Sequence, residues 1–275
     1  MKKRIFLSLL LLVTFLSINI SVNAKEIYSD EQINYILENA DPNDMFLENG
    51  ELEYSDEYQR ILNIKNQQLE KSYQKYLNTR NYNISDSGSG LSTLNIINST
   101  NGFCYTSRTL GVTTYQQERN YYCGPASVKE TLQFINGTSL SQSEYALDMG
   151  TNATDGTYVF QIKNELNNKQ SAHTYVYEDI STVSRFNQIV IADILDSDVG
   201  VPFIIHALTG SLYMYNGTTL HHYLVVNGAN QTTQKVTYVD SWAYDYGRGT
   251  TLGQHTDTRS NVANTVTSSG RYVIW

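Results

Sequence analysis

The sequence predicts an α+β fold: helices first, one of them starting at a cysteine, and then a C-terminal antiparallel sheet carrying a histidine and an aspartate. Three observations predict it. Val128, Leu132 and Ile135 recur at three- and four-residue steps after Pro125, and two further helical stretches follow by Asn167, as amphipathic helices require. From Val201 onward, short β-branched and aromatic runs bounded by turn residues take over, which is the composition of strands. Helices followed by strands, without alternation, is the order of a domain with segregated layers.

The elements follow in turn. Ala126 to Asn136 carries Val128, Leu132 and Ile135 on one face and meets Gly137, a residue that readily ends a helix. Two more helices are expected, at Ser141 to Met149 and Tyr158 to Asn167. Four strands are expected at Val201 to Ile205, Tyr223 to Val226, Val236 to Val239 and Tyr272 to Trp275.

Ahead of this domain, residues 1–24 have the pattern of an export signal. Lys2, Lys3 and Arg4 form a basic head, Ile5 to Val13 is apolar apart from Ser8, and Val22-Asn23-Ala24 supplies small residues for cleavage. Thr14, Ser17, Asn19, Ser21 and Asn23 interrupt the run, short of the roughly 20 apolar residues of a membrane span. The expectation is export with no stable membrane anchor once the signal is gone. Residues 25–100 are expected to be an acidic helical region and linker. Ser29-Asp30-Glu31-Gln32 fits a capping box opening a short helix. A longer helix is expected from about Asp56 to Arg80, with Tyr58, Ile61, Leu62, Leu69, Tyr73, Tyr76 and Leu77 at helical steps. Asn81 to Gly90 turns to Asn, Ser, Asp and Gly, a linker composition. The main domain is then residues 101–275.

Charge limits the partners. The chain has 19 Lys+Arg and 27 Asp+Glu; without the three basic residues of the signal this is 16 against 27, a formal balance of −11. Nucleic acid is excluded as a partner, because phosphate neutralisation needs clustered basic residues. Only two cysteines occur, Cys104 and Cys123. They do not make a stapled scaffold, but a single Cys104–Cys123 disulfide is a reasonable alternative in an exported chain.

The segment Gln117-Glu118-Arg119-Asn120-Tyr121-Tyr122-Cys123-Gly124-Pro125-Ala126 carries the chemistry. Pro125 and the periodic residues after it place Cys123 at or just before a helix N-terminus. Unpaired N–H groups and the helix dipole favour a thiolate there, and Gly124 leaves room for the sulfur. Gln117 is a candidate donor for a negative intermediate, with Gln116 as its neighbour. Of the five histidines, His222 opens the strand run His222-Tyr223-Leu224-Val225-Val226-Asn227-Gly228. His221 is its competitor, and strand alternation puts the two on opposite faces. Asp240 ends the next run; in a hairpin it falls beside His222, where it could accept the Nδ1–H and fix the tautomer. Asn227 is the alternative orienter. Cys104 has nothing catalytic around it.

These residues resemble the bacteriocin-processing (double-glycine leader) peptidase-like family of papain-like cysteine peptidases, over about residues 101 to 275. Ala146-Leu147-Asp148-Met149-Gly150-Thr151 and Asp155-Gly156-Thr157 are similar to the region after the family's catalytic helix. The resemblance implies that Cys123 attacks, His222 is the base, Asp240 orients it and Gln117 serves the oxyanion hole. It implies a peptide or protein substrate and no cofactor. Tyr122 stands where the family usually has an acidic residue, and His221 where glycine is common. A helix and Ser/Gly linker ahead of such a domain suggest a propeptide folding across the cleft. An amidase or acyltransferase of the same Cys-His-Asp type, or an inactive papain-like binding module, are the other readings. The chain contains no His-Glu-x-x-His, Cys-x-x-Cys, phosphate loop or Gly-x-Ser-x-Gly. Asp196-Ser197-Asp198 has the start of a calcium loop but lacks the later ligands.

Overall fold

A computed structural model describes residues 45–48, 51–54, 56–85, 104–267 and 272–275, all in one compact unit, Leu37–Trp275. The expected signal, the helix at Ser29 and the linker from Asp86 to Gly90 lie outside the described residues. Strands β1 (Met45–Glu48) and β2 (Glu51–Tyr54) form an antiparallel hairpin, followed by helix α1 (Asp56–Ser85). α1 matches the expected helix at its start and runs five residues past its expected end, through Asn81 to Ser85.

The main domain opens with β3 (Ser107–Thr109). Helices α2 (Cys123–Asn136), α3 (Gln142–Asp148) and α4 (Val159–Lys169) follow, where three helices were expected. α2 begins three residues earlier than the periodicity suggested, at the cysteine itself, and ends on Gly137 in the left-handed conformation (φ 72°). β4 (Tyr177–Asp179) leads to α5 (Val183–Ile189), which continues as a π-helical segment, Val190–Leu195.

A seven-stranded antiparallel sheet completes the domain: β5 (Phe203–Leu208), β6 (His221–Asn230), β7 (Lys235–Asp240), β8 (Gly253–Thr258) and β9 (Tyr272–Ile274) join β4 and β3. The strand order is β4-β9-β5-β6-β7-β8, with β3 paired to β6. Helix α6 (Arg259–Thr267) lies between β8 and β9 in the chain. β6 is the spine. Eight successive residues, His222 to Ala229, are buried, so both of its faces are covered, and its apolar run carries no simple alternation. At Gly228 a Cβ would come within 2.9 Å of Thr109 Oγ1 and 3.1 Å of the Arg108 carbonyl, so β3 can approach β6 only because glycine stands there.

α1 is part of this packing. Tyr58, Ile61, Ile64 and Leu69 are buried, and the Tyr58 hydroxyl donates to the Tyr177 carbonyl (2.8 Å) while accepting its N–H (2.7 Å). Farther along, Ser72 Oγ donates to Asp196 Oδ2 (2.6 Å), and Lys75 pairs with Asp196 and Asp198. The carboxylates that looked like the start of a calcium loop are therefore partners of a lysine. Among the described residues, no helix is long and apolar enough to cross a membrane.

Candidate active site

Cys123 is the first residue of α2, and Tyr122 before it gives the helix no side-chain cap. The first N–H groups of the helix are therefore not taken by a capping side chain, and Pro125, lacking an N–H, adds no orphan donor. The Gly124 and Tyr223 N–H groups favour a negative charge on the sulfur. Gly124, within the first turn of α2, is required for packing. A Cβ there would lie 2.5 Å from Thr157 Oγ1 and 2.7 Å from Thr157 Cβ. Thr157 is itself held by Thr151 (Oγ1 to Oγ1, 2.8 Å) and by the Tyr223 hydroxyl on its carbonyl (2.8 Å), so it cannot yield.

His222 and Asp240 come together through the β6–β7 hairpin. The pairing Val225↔Val239 sets Asp240 opposite Leu224, one side-chain repeat from His222 on the same face. His222 Nε2 lies 2.8 Å from Asp240 Oδ1, with both side chains buried. This differs from the sequence expectation, which put Asp240 on Nδ1. With Nε2 held by the carboxylate, Nδ1 is the ring nitrogen left for the interaction of His222 with Cys123. Asp240 also accepts the Trp242 N–H on Oδ1 (2.8 Å) and the Tyr215 hydroxyl on Oδ2 (2.7 Å).

The competitors separate cleanly. His221 is exposed, its ring 5.9 Å from that of His206, on the face of β6 away from His222. Asn227 Nδ2 donates to the Leu110 carbonyl (2.9 Å) and to Gln254 Oε1 (2.8 Å) while its Oδ1 has no hydrogen-bond partner; the carboxylate that meets the His222 ring is that of Asp240. Gln117 is buried while Gln116 is exposed. Gln117 Nε2 donates to the Arg119 carbonyl (2.8 Å), and its Oε1 accepts from Ser241 Oγ (3.3 Å). Both cysteines are free thiols, and Cys104 is buried with its Sγ 3.5 Å from the Ser72 carbonyl.

Electrostatics follow from these contacts. Burial opposes ionisation of Cys123, but the hydrogen bond and positive charge of His222, helped by the Tyr223 and Gly124 N–H groups, outweigh it and hold the thiol below its ordinary value. Burial likewise opposes the charge on His222, yet the charge and hydrogen bond of Asp240, then Cys123, push its pKa up to about 10. A lowered thiol and a raised imidazole in contact make a thiolate–imidazolium pair. Cys104 is the opposite case: burial drives its thiol up to about 12. Such an arrangement can attack a carbonyl and return a proton to a leaving group.

A family model described as the Peptidase_C39 like family matches residues 109–264, more than half of the chain and the whole span from β3 into α6. The chain belongs to the Peptidase_C39 like family. It is a cysteine peptidase with a papain-like α+β fold. Three of the solved structures similar to it follow. One is a double glycine motif protease from an AMS/PCAT transporter in complex with the leader peptide: 14% identity, TM-score 0.42, covering 61% of this chain and 92% of that one. Another is the peptidase domain of Streptococcus ComA: 18% identity, TM-score 0.39, 59% and 96% coverage. The third is xylellain, a cysteine protease from Xylella fastidiosa: 13% identity, TM-score 0.41, 68% and 90% coverage. No curated protein sequence matches the chain.

The peptidase also uses residues the sequence did not single out. Tyr215 and Trp242 bond to Asp240, Ser241 to Gln117, and Gln142 to the backbone on either side of Gln117, while Glu130 holds the Tyr115 N–H two residues before that glutamine. Ser241 and Trp242 directly follow Asp240 and were within reach of sequence reasoning. Tyr215 arrives from a 3₁₀ turn, Tyr213–Tyr215, with only the following Asn216-Gly217 to mark a turn. Glu130 is buried on α2, accepting the Tyr115 N–H on Oε1 (2.9 Å). Burial chiefly pushes its pKa up to about 8, with Asp240 adding to the shift.

Proposed function

We propose that this peptidase is exported and hydrolyses peptide bonds of a peptide or protein substrate with Cys123 as nucleophile, His222 as base, Asp240 as its orienter and Gln117 in the oxyanion hole. The observation that carries this reading is the continuous chain from the Cys123 sulfur through the His222 ring to Asp240, 2.8 Å from Nε2. The Cys123 thiolate attacks the carbonyl carbon. The oxygen becomes an oxyanion facing the start of α2, and the Gln117 amide nitrogen, with a second N–H beyond the one given to Arg119, is its side-chain donor. His222 passes its proton to the departing amine, leaving a thioester. Water then attacks with His222 as base and releases the acid and the free thiol. No step calls for a cofactor.

Export rests on residues 1–24, with their basic head, apolar stretch and Val22-Asn23-Ala24. Removal of that segment leaves no anchor in this reading, and the acidic balance keeps nucleic acid out of the partner set.

The test is incubation of the reduced, purified protein with a casein digest, scoring new amino termini and released ammonia separately. New termini that disappear in both Cys123→Ala and His222→Ala are expected. Ammonia without new termini would make the chain an amidase of the same chemistry. Full hydrolysis by Cys123→Ala would sink the assignment.

A further inference from the structure

Gln117 sits in a segment, residues 110–122, with no helix or strand of its own, although an oxyanion donor has to be held to within about 0.5 Å. Its own backbone N–H donates to the Ser241 carbonyl (2.9 Å), which ties one point of the segment to the end of β7. The peptide groups on either side of it are taken by a single side chain. Gln142 Nε2 donates to the Gln116 carbonyl (2.8 Å), and Gln142 Oε1 accepts the Glu118 N–H (3.0 Å). One amide thus bridges the residues immediately before and after Gln117, as a neighbouring strand would.

Gln142 is only 2% exposed. A buried amide is costly unless both of its ends are bonded, and here both ends are bonded to this one segment. Its base is rigid too. It is the first residue of α3, whose start is fixed by a capping box: Ser141 Oγ accepts the Glu144 N–H (3.2 Å), and Glu144 Oε2 accepts the Ser141 N–H (2.9 Å).

We infer that Gln142 is a positioning residue of this active site, holding Gln117 where the oxyanion forms by clamping the Gln116 carbonyl and the Glu118 N–H. The inference rests on the role proposed above for Gln117. It touches no substrate and acts only through the segment it clamps. Its loss should therefore slow steps that build an oxyanion and spare steps that do not.

Two reagents at Cys123 separate those steps. p-Nitrophenyl acetate acylates the thiolate through a tetrahedral oxyanion and expels p-nitrophenolate. Iodoacetamide alkylates the same sulfur by displacing iodide, with no oxyanion. The quantity to measure is the ratio of the two rate constants in the full chain, with both reactions mapped to Cys123. Gln117→Ala is expected to lower the ratio on the order of a hundredfold, as loss of an oxyanion donor does. Gln142→Met is expected to lower it about tenfold through misplacement of that donor, with alkylation unchanged. In the double variant the ratio should match that of Gln117→Ala alone, because both changes act on one group.

An unchanged ratio in Gln142→Met, or losses that multiply in the double variant, would overturn the inference while leaving Gln117 in place. An unchanged ratio in Gln117→Ala would remove both assignments. Absence of reaction with either reagent at wild-type Cys123 would remove the nucleophile itself. Should Gln142→Met not fold, Gln142→Glu keeps the acceptor for Glu118 and loses the donor to Gln116. A smaller fall is expected from it, and no fall overturns the inference.

Discussion

The Tyr215 hydroxyl donates to Asp240 Oδ2 at 2.7 Å, on the opposite side of the carboxylate from His222, and both residues are fully buried. Asp240 is thereby held at both oxygens, with His222 and the Trp242 N–H on Oδ1. The Tyr215 ring stacks on Tyr246, 5.3 Å between centroids. Tyr215→Phe keeps that packing and removes only the hydroxyl. The buried Oδ2 then loses its partner, at a cost of about 1–3 kcal/mol in stability. Thermal unfolding and hydrolysis should both show the loss, with turnover falling more than substrate affinity. An unchanged melting temperature together with unchanged turnover would mean that the hydroxyl holds nothing in place.

The Cys123–His222 pair makes a pH prediction. The thiol lies below its ordinary value and the imidazole is raised to about 10, so the ion pair exists between those two limits. Alkylation of Cys123 should persist to lower pH than alkylation of an ordinary thiol, whose pKa is about 8.5. Hydrolysis should fall above about 10, as His222 loses the proton it must give to the leaving amine. For stability the sign is that of a raised base. The contribution is fully present below the unfolded histidine value of about 6.5 and is lost as pH rises through the folded one. Asp240→Asn removes the largest cause of the raised imidazole, so the alkylation midpoint should move up. A midpoint that stays put would separate Asp240 from the ion pair.

What the sequence made legible was local. Cys123-Gly124-Pro125 ahead of a periodic run marks a helix start whatever it packs against, and α2 begins there. The His222 and Asp240 runs are strand-like by composition, and a hairpin between them was the simplest pairing. The ring nitrogen facing Asp240 was not legible, because it depends on the rotamer that the packing of β6 imposes. β8, Gly253–Thr258, is polar and half exposed along Gly-Gln-His-Thr-Asp-Thr, so it carries no apolar signal and was missed. The π-helical segment Val190–Leu195 is wholly buried, Asp193 included, so no polar face marks its period. Tyr215 and Gln142 reach the site across 25 residues to Asp240 and 26 to Gln116, distances at which a single sequence carries no pairing signal.

Glu130 should make the peptidase lose stability as pH rises through neutrality. Its carboxyl is buried, with Oε2 unpartnered, and its pKa is pushed up to about 8, chiefly by burial. An acid with a raised folded value binds more protons folded than unfolded, so its contribution is greatest below about 4.5 and declines as pH rises to about 8. Glu130→Gln carries no ionisable group and keeps an oxygen for the Tyr115 N–H. Its melting temperature should therefore gain on the wild type steadily between pH ~5 and ~8. Parallel pH profiles for the two proteins would show that Glu130 ionises freely in the fold.

α1 bears on the expectation that residues 25–100 form a removable propeptide. Tyr58, Ile61, Ile64 and Leu69 are all buried. Each large apolar side chain contributes about 1.5–3 kcal/mol on burial. Four of them are comparable with the whole net stability of a domain, about 5–15 kcal/mol. Cutting the chain after residue 100 would also strip Ser72 and Lys75 from the buried Asp196, leaving a carboxylate without those partners inside the fold. A chain starting at residue 56 should therefore melt close to the full-length protein, while one starting at residue 101 should melt far lower or fail to fold. Limited proteolysis of the full chain should accordingly leave a stable fragment that retains α1. A stable, more active 101–275 fragment would instead make α1 part of a releasable segment, and its buried contacts would be those of an inhibitor bound in place.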